Sequence, residues 1–321
     1  MSRRDESRTS RPDNGVREAV RRAAFVVAAG LGACARSPVV LTPNADAVVT
    51  VANVGFVEPE NLVYDSLADV YLVSNTGGGG TTRDDNGFIS RVAPDGRVLD
   101  LRWIAGGRSG IELHSPKGLA IRGDTLAVAD LGAVRLFDRR TGRSIRSITL
   151  PGLLMNDVGF ADDGSIWITD TGPSRDSVPV DTTRDLDAVW HVTPDDSVRP
   201  AARGLWMDRP DGLVVDGHAV MFTTFGGNRI VKVWASSDVQ PSTIESLPAG
   251  RLDGFRRLAD GSLLVTSWEA GTVWRLWDDD EPPYRVIAGL TSPAGVAVDT
   301  RRHRLAVTSF QRNQLYLLPL H

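Results

Sequence analysis

The 321-residue chain has a single cysteine, Cys34, and only five histidines. One cysteine cannot form an internal disulfide, so the fold has to be held by its core. The histidines show no metal-binding spacing, and the G-x-S-x-G motif of serine hydrolases does not occur. The sequence therefore argues against a zinc site built on histidine and cysteine and against a nucleophilic serine.

The chain also has no excess of positive charge, no long apolar run and no helical patterning. The net charge of -4 argues against a nucleic-acid partner. No segment of 45–321 keeps a 3.6-residue apolar period, which argues against a TIM barrel. What the chain does have is 32 glycines and 18 prolines spread along its length, a composition that favours many short strands joined by turns.

The N-terminus differs from the rest of the chain. Residues 1–22 carry seven arginines against four acids, and the apolar stretch AAFVVAAGLGAC ends at Cys34. A basic start, a short apolar run and small residues at its end are typical of a secretory signal, and the run is too short for a permanent membrane helix. The sequence LGAC at its end resembles a bacterial lipoprotein cleavage box, in which the cysteine becomes the lipidated N-terminus.

These features predict a signal peptide over 1–33, a lipidated Cys34, a linker over 34–45 and a folded domain over 46–321. The protein would then be an exported bacterial lipoprotein, periplasmic or at the cell surface, that contacts the membrane only through its lipid. Export without lipidation, or a cytoplasmic protein with a chance cysteine, are the alternatives.

One structural unit recurs six times along the folded domain. Each copy has a turn, a short strand, a polar turn and a second apolar strand, and most continue with two further strands. Equivalent positions in the copies are 60, 117, 156, 211, 253 and 294. Units of about 40 residues with four strands are the signature of β-propeller blades. The sequence therefore predicts an all-β, six-bladed β-propeller.

The last copy ends after its third strand. An apolar segment, DAVVTVANVGF, precedes the first copy and can supply the missing outer strand. An N-terminal strand is therefore predicted to close the ring, which also removes an exposed sheet edge.

The residue just before each first strand is predicted to lie at the mouth of the central channel. The six residues at that position are Glu60, Lys117, Asn156, Asp211, Asp253 and Ala294. Three carboxylates and one lysine leave a charge of -2, which a divalent cation would balance. Oxygen donors favour Ca²⁺, with Mg²⁺, Mn²⁺ or Zn²⁺ as alternatives. A metal-free channel neutralised by Lys117 is the competing interpretation.

Three segments resemble the gluconolactonase and senescence-marker-protein (regucalcin-like) six-bladed propellers. They are PENLVYD around Glu60, NDVGFADDGSIWITDTG from Asn156 and LDGFRRLADGSLLVTSW from Leu252. The resemblance implies a catalytic divalent metal held by Glu60, Asp211 and Asp253, with Asn156 beside it. It also implies Asp253 as the general base and Asn156 as a hydrogen-bonding partner of the substrate. Asp211 stands where the family has asparagine, and Lys117 adds a cation to the ring.

Three further residues are candidates for the channel mouth. His114 precedes Lys117 by three residues, and Phe225 and Trp268 follow second strands that end on the same face. We expect them to line a substrate pocket.

Two functions follow from these observations. The first is an exported, metal-dependent lactonase or related ester hydrolase that acts on a small molecule as a monomer. The second is a non-catalytic cell-surface propeller that binds a ligand or a protein partner.

Overall fold

The computed structural model describes residues 48–78, 80–172, 187–235, 239–277 and 281–320. The predicted signal peptide, Cys34 and the linker lie outside these ranges and stay predictions. Within the described residues, the regular elements are strands and one short 3-10 helix, Leu205–Met207. No helix in this part of the chain is long and apolar enough to cross a bilayer.

The strands form an all-β propeller. The first sheet contains β2 (Pro59–Asp65), β3 (Val70–Asn75), β4 (Phe88–Val92) and β5 (Val98–Ala105). The second contains β6 (Leu119–Arg122), β7 (Thr125–Asp138), β8 (Ser144–Phe160), β9 (Ile166–Asp170), β10 (Ala188–Val192) and β11 (Val198–Arg203). The third contains β12 (Pro210–Asp216), β13 (Ala219–Thr224), β14 (Arg229–Trp234) and β15 (Ser242–Ser246). The fourth contains β16 (Leu252–Arg257), β17 (Leu263–Ser267), β18 (Thr272–Leu276) and β19 (Tyr284–Ala288). The fifth contains β1 (Val49–Val51), β20 (Pro293–Asp299), β21 (Arg304–Ser309) and β22 (Gln314–Pro319).

The prediction of six blades is corrected to five hydrogen-bonded sheets. The second and third sequence repeats share the six-stranded sheet because β8 is continuous. Its first part pairs with β7 through Ile148 and Thr149, and its last part pairs with β9 through Val158 and Phe160. The other repeats are separated by loops that end the outer strand before the next inner strand begins.

The N-terminal strand closes the ring as predicted. Strand β1 pairs antiparallel with β22, with Val49 opposite Leu317 and Val51 opposite Leu315. Val51, Leu315 and Leu317 are buried together in the core between the first and last sheets. The closing contact is therefore apolar as well as hydrogen-bonded.

The inner strands approach each other closely around the channel. Strands β2, β6, β8, β12, β16 and β20 each contact the next one around the ring. The residue after the channel position is glycine in four of the six repeats: Gly118, Gly212, Gly254 and Gly295. A Cβ on Gly254 would overlap the carbonyl oxygen of Ala294, and one on Gly212 would overlap that of Asp253. These glycines therefore permit the tight inner ring that brings the channel residues together.

Candidate metal centre

A β-bulge begins most of the inner strands and places the channel residue. The strand register shifts between Pro59 and Leu62, between Pro210 and Leu213, and between Leu252 and Phe255. Bulges re-aim side chains that would otherwise follow the pleat. Glu60, Asp211 and Asp253 lie within these three bulges.

The three predicted acids meet in the channel. One carboxylate oxygen from each of Glu60, Asp211 and Asp253 lies within 4.8 Å of the others. The residues are only 4%, 4% and 5% exposed, so water screens their charges weakly. The closed ring thus brings Asp211 and Asp253, which follow Glu60 by 151 and 193 residues, to the same site as Glu60.

Each acid accepts a hydrogen bond on one of its two oxygens. Lys117 Nζ donates to Glu60 Oε1 (3.1 Å). Asn156 Nδ2 donates to Asp211 Oδ2 (2.7 Å), and Trp268 Nε1 donates to Asp253 Oδ2 (2.8 Å). Among the described residues, no group donates to Glu60 Oε2, Asp211 Oδ1 or Asp253 Oδ1. Three oxygens of the cluster are therefore free to hold a ligand.

The amide of Asn156 has a fixed orientation. Its Nδ2 also donates to Thr171 Oγ1 (2.8 Å), which itself donates to the carbonyl of Pro210 (2.8 Å). Since Thr171 uses its only proton on Pro210, it must accept from Asn156. Both amide protons of Asn156 are thereby used, so its Oδ1 is the atom left to bind a ligand.

Burial and mutual repulsion shift the titration of the cluster. Burial raises the pKa of Asp211 well above its ordinary value, and the charge of Glu60 adds to the effect while Lys117 opposes it. Burial likewise raises the pKa of Asp253, with the charges of Asp211 and Glu60 adding to it. The three acids would be stabilised in their ionised form by a cation bound among them.

Lys117 shares the channel with the acids. Burial works to lower the pKa of its ammonium, but the charges of Glu60, Asp211 and Asp253 outweigh that effect and raise it. The acids therefore favour the charged form of Lys117, whose ammonium forms an ion pair with Glu60.

A second polar layer lies below the acids. Arg256 NH1 is 3.6 Å from Asp157 Oδ2, and Asn61 Nδ2 donates to Asp157 Oδ1 (3.2 Å). Asp157 and Asn61 occupy the position that is glycine in the other four repeats, and that departure was the sequence signal for this layer. Asp157 and Arg256 add one negative and one positive charge to those of Lys117 and the three acids. The formal charge of the channel therefore stays at -2, which one divalent cation would balance.

The predicted pocket aromatics lie beside the acids. The ring centroids of Phe225 and Trp268 are 5.3 Å apart, and those of Trp268 and Phe310 are 5.5 Å apart. Phe310 occupies the same place in its repeat as the other two but was not selected from the sequence as a site residue. A groove of about 900 Å³ runs past Trp268 and is lined by Arg251, Leu290 and Ser292 among others. The aromatics thus form a wall at the channel mouth.

His114 lies in a different network. Its Nε2 is 2.9 Å from Glu112 Oε1, and its Nδ1 accepts the backbone N–H of Asp85 (3.2 Å). Arg135 bonds both Glu112 and Asp130, which completes this cluster. Both ring nitrogens of His114 are therefore engaged away from the three acids.

Comparison with known proteins gives the fold a name. No family model and no curated protein matches the sequence. Among solved structures, a gluconolactonase from Xanthomonas campestris is 22% identical, covers 87% of this chain and 91% of its own, and has a TM-score of 0.63. This chain has the fold of the gluconolactonase-like propellers.

A putative gluconolactonase is 18% identical, with coverage of 86% of this chain and 95% of its own and a TM-score of 0.60. The virginiamycin B lyase of Staphylococcus aureus is 13% identical, with coverage of 85% and 99% and a TM-score of 0.59. The same propeller architecture is therefore found in proteins named for different chemistry.

Proposed function

We propose that this propeller is a metal-dependent lactonase or related ester hydrolase. The observation that carries the proposal is the buried cluster of Glu60, Asp211 and Asp253, in which each carboxylate keeps one oxygen free. The gluconolactonases among its structural neighbours support the same reaction class.

The residues that would hold the metal are the three acids and Asn156 through its Oδ1. Four oxygen donors and a channel charge of -2 suit Ca²⁺, with Mg²⁺ and Mn²⁺ as the nearest alternatives. Bound there, a divalent cation supplies a Lewis acid that polarises the carbonyl of an ester and balances its developing negative charge.

Asp253 is the proposed general base. The indole N–H of Trp268 holds the Asp253 carboxylate through Oδ2, and its Oδ1 would both touch the metal and accept the proton of the attacking water.

The predicted hydrogen bond from Asn156 to the substrate stays a prediction, and Asn156 would make it as an acceptor. Its two amide protons hold Asp211 and Thr171, so what it can offer is its oxygen.

Hydrolysis of a panel of aliphatic and aryl lactones tests the proposal. We expect activity that EDTA abolishes and that added Ca²⁺, Mn²⁺ or Mg²⁺ restores. Replacement of Asp253 by asparagine should lower kcat by about 10²-fold or more. The control is Asp163→Asn, which changes an exposed turn acid bonded to Ser165. Metal-independent hydrolysis, or a folded protein that binds no metal and hydrolyses none of the panel, would overturn the proposal.

We further propose that the protein is exported and anchored through Cys34. The motif LGAC and the basic segment before it support this proposal. In a bacterial host, metabolic labelling with a fatty acid should mark the wild-type protein and not Cys34→Ser. Unlabelled wild-type protein in the cytoplasmic fraction would contradict it.

A further inference from the structure

We infer that Arg209 and Arg251 form an anion-binding subsite over Phe225, and that the preferred substrate carries a carboxylate on a flat apolar body. This inference rests on the proposed ester hydrolysis and specifies its substrate class.

The repeat places both arginines at the channel mouth. Each precedes a channel acid by two residues, Arg209 before Asp211 and Arg251 before Asp253. Both have left-handed backbone, with φ of 63° and 52°. Their carbonyls accept the backbone N–H of Phe225 (2.8 Å) and of Trp268 (3.0 Å). The same turn therefore positions an arginine and an aromatic ring together in two successive repeats.

Two guanidinium groups share one aromatic ring. The Cζ of Arg209 lies 5.0 Å from the centroid of Phe225, and that of Arg251 lies 5.9 Å from it. The ring attracts each cation weakly and offers neither guanidinium a hydrogen-bond acceptor. We expect one anion bound beside the ring to accept hydrogen bonds from both arginines.

Arg209 and Arg251 have no side-chain acceptor among the described residues. Arg209 Nε is buried, and it has no hydrogen-bond partner among the described residues. The nearby Asp187 accepts the backbone N–H of Arg209 rather than its side chain. Within the described part of the chain, neither guanidinium forms an ion pair. Planar guanidinium groups with free donors are suited to a carboxylate, which they bind through paired hydrogen bonds.

The subsite is next to the acids through shared contacts. Phe225 packs on Trp268, and Trp268 bonds Asp253. A ligand whose carboxylate sits on the arginines would therefore extend its other end toward the acid cluster.

The surroundings select the body of the ligand. The rings of Phe225, Trp268 and Phe310 form a continuous aromatic wall, which favours a flat or aromatic group. The adjoining groove of about 900 Å³ has room for a bicyclic molecule. A carboxylate on the substrate would bind the arginines, which places its ester toward the acid cluster.

Equilibrium binding of a hydrolysis-resistant probe tests the subsite. The probe is 3,4-dihydroquinolin-2-one-6-carboxylate, the lactam analogue of an aryl lactone, and its primary carboxamide is the neutral partner. We expect the carboxylate to bind at least tenfold tighter than the carboxamide, measured by quenching of tryptophan fluorescence and by calorimetry. Arg209→Gln and Arg251→Gln should each weaken carboxylate binding about tenfold and leave carboxamide binding within twofold.

Three controls keep the outcome decisive. Arg209→Lys keeps the charge and should retain part of the preference. Arg257→Gln removes an exposed arginine that pairs with Asp216 and should change nothing. Inorganic phosphate at millimolar concentration should not displace the probe; displacement would mean that the site takes free anions and would overturn the substrate assignment.

The binding test can fail or succeed independently of the test of lactone hydrolysis. Equal binding of carboxylate and carboxamide, or equal losses for both in the arginine variants, would overturn the subsite even if lactones are hydrolysed. Arginine-dependent binding of the carboxylate by a protein that hydrolyses no lactone would uphold the subsite and overturn the hydrolase.

Discussion

At the scale of single residues, the buried acids of the channel destabilise the folded state when they are ionised. Asp211 and Asp253 are buried beside Glu60, and their raised pKa values mean that the folded state resists their ionisation. Such a cluster is costly without a ligand, and functional sites often carry this cost.

The Asp253→Asn variant should be more stable than the wild type when no cation is present. The folded-state pKa of Asp253 lies above its unfolded value, so the stability of the wild type in EDTA falls as the pH rises from about 3.8 through the raised pKa. The variant lacks that loss. Thermal melting in EDTA between pH 4 and pH 8 should show its advantage growing with pH.

Asp163→Asn is a control because the pKa of Asp163 is shifted in the opposite direction to that of Asp253. The hydroxyl of Ser165 lowers the pKa of Asp163, so the ionised form is favoured in the folded state. This variant should lose stability at neutral pH. If Asp253→Asn also lost stability in EDTA at pH 8, the proposed electrostatic cost would be wrong.

Glu112 provides a second pH-dependent prediction. Hydrogen bonds from Arg135 and then His114 lower its pKa from 4.5 to about 2. The stability that it contributes is therefore complete above pH 4.5 and is lost as the pH falls toward 2. Glu112→Gln should lower the melting temperature at pH 7, by a small amount because the side chain is 56% exposed. A difference that stays constant down to pH 3 would contradict this assignment.

At the scale of single elements, the start of each inner strand sets the geometry of the site. A bulge turns the channel residue inward, and in four repeats the following glycine lets the neighbouring strand approach. The acids meet because the strands carrying them have almost no side-chain volume between them.

Gly254→Ala should therefore be strongly destabilising. Its Cβ would overlap the backbone of Ala294, which cannot move without displacing β20. We expect a loss of about 3 kcal/mol or more, at the upper end of what overpacking costs. Chemical denaturation measures the change.

Gly217→Ala is the matched comparison. Gly217 has φ of 62° and nothing within 4 Å of an added Cβ, so only backbone strain opposes the change. That strain costs about 1–2 kcal/mol. Equal losses in the two variants would show that the inner strands can separate more easily than the structure indicates.

At the scale of the whole molecule, the ring depends on one closing strand. Val51 is buried among residues of the last sheet, whereas Thr50 on the same strand is exposed. Val51→Asp should lower the free energy of unfolding by several kcal/mol because it buries an unpaired charge. Thr50→Asp should leave it within about 0.5 kcal/mol. Similar effects of the two substitutions would mean that β1 does not contribute a buried face to closure.

Repetition made much of this architecture predictable. The six copies identified the closing strand and the channel positions, so Glu60, Asp211, Asp253 and Lys117 were found without any structure. The pairing of Arg256 with Asp157 was not, because only closure of the ring brings together residues 99 positions apart. Nor did the sequence show that Trp268 donates to Asp253. The equivalent positions of the two adjacent repeats hold Phe225 and Phe310, which have no donor.

The shared strand β8 was the other feature that the repeat concealed. The segment between its two paired regions reads PGLL, which resembles the loops between the other repeats. Its strand pairing persists because Leu131 pairs with Leu154 and because Asp170 accepts the backbone N–H groups of Leu153 and Leu154.

The shared strand makes the ring mechanically uneven. The second and third repeats cannot separate unless β8, which belongs to both, loses its strand conformation. The two ends of the ring, in contrast, meet only through the three residues of β1. Partial unfolding should therefore begin where β1 meets β22 and reach the six-stranded sheet last. Native-state hydrogen exchange should show amides of β1 and β22 exchanging through small openings, while those of β7, β8 and β9 exchange together as one cooperative unit.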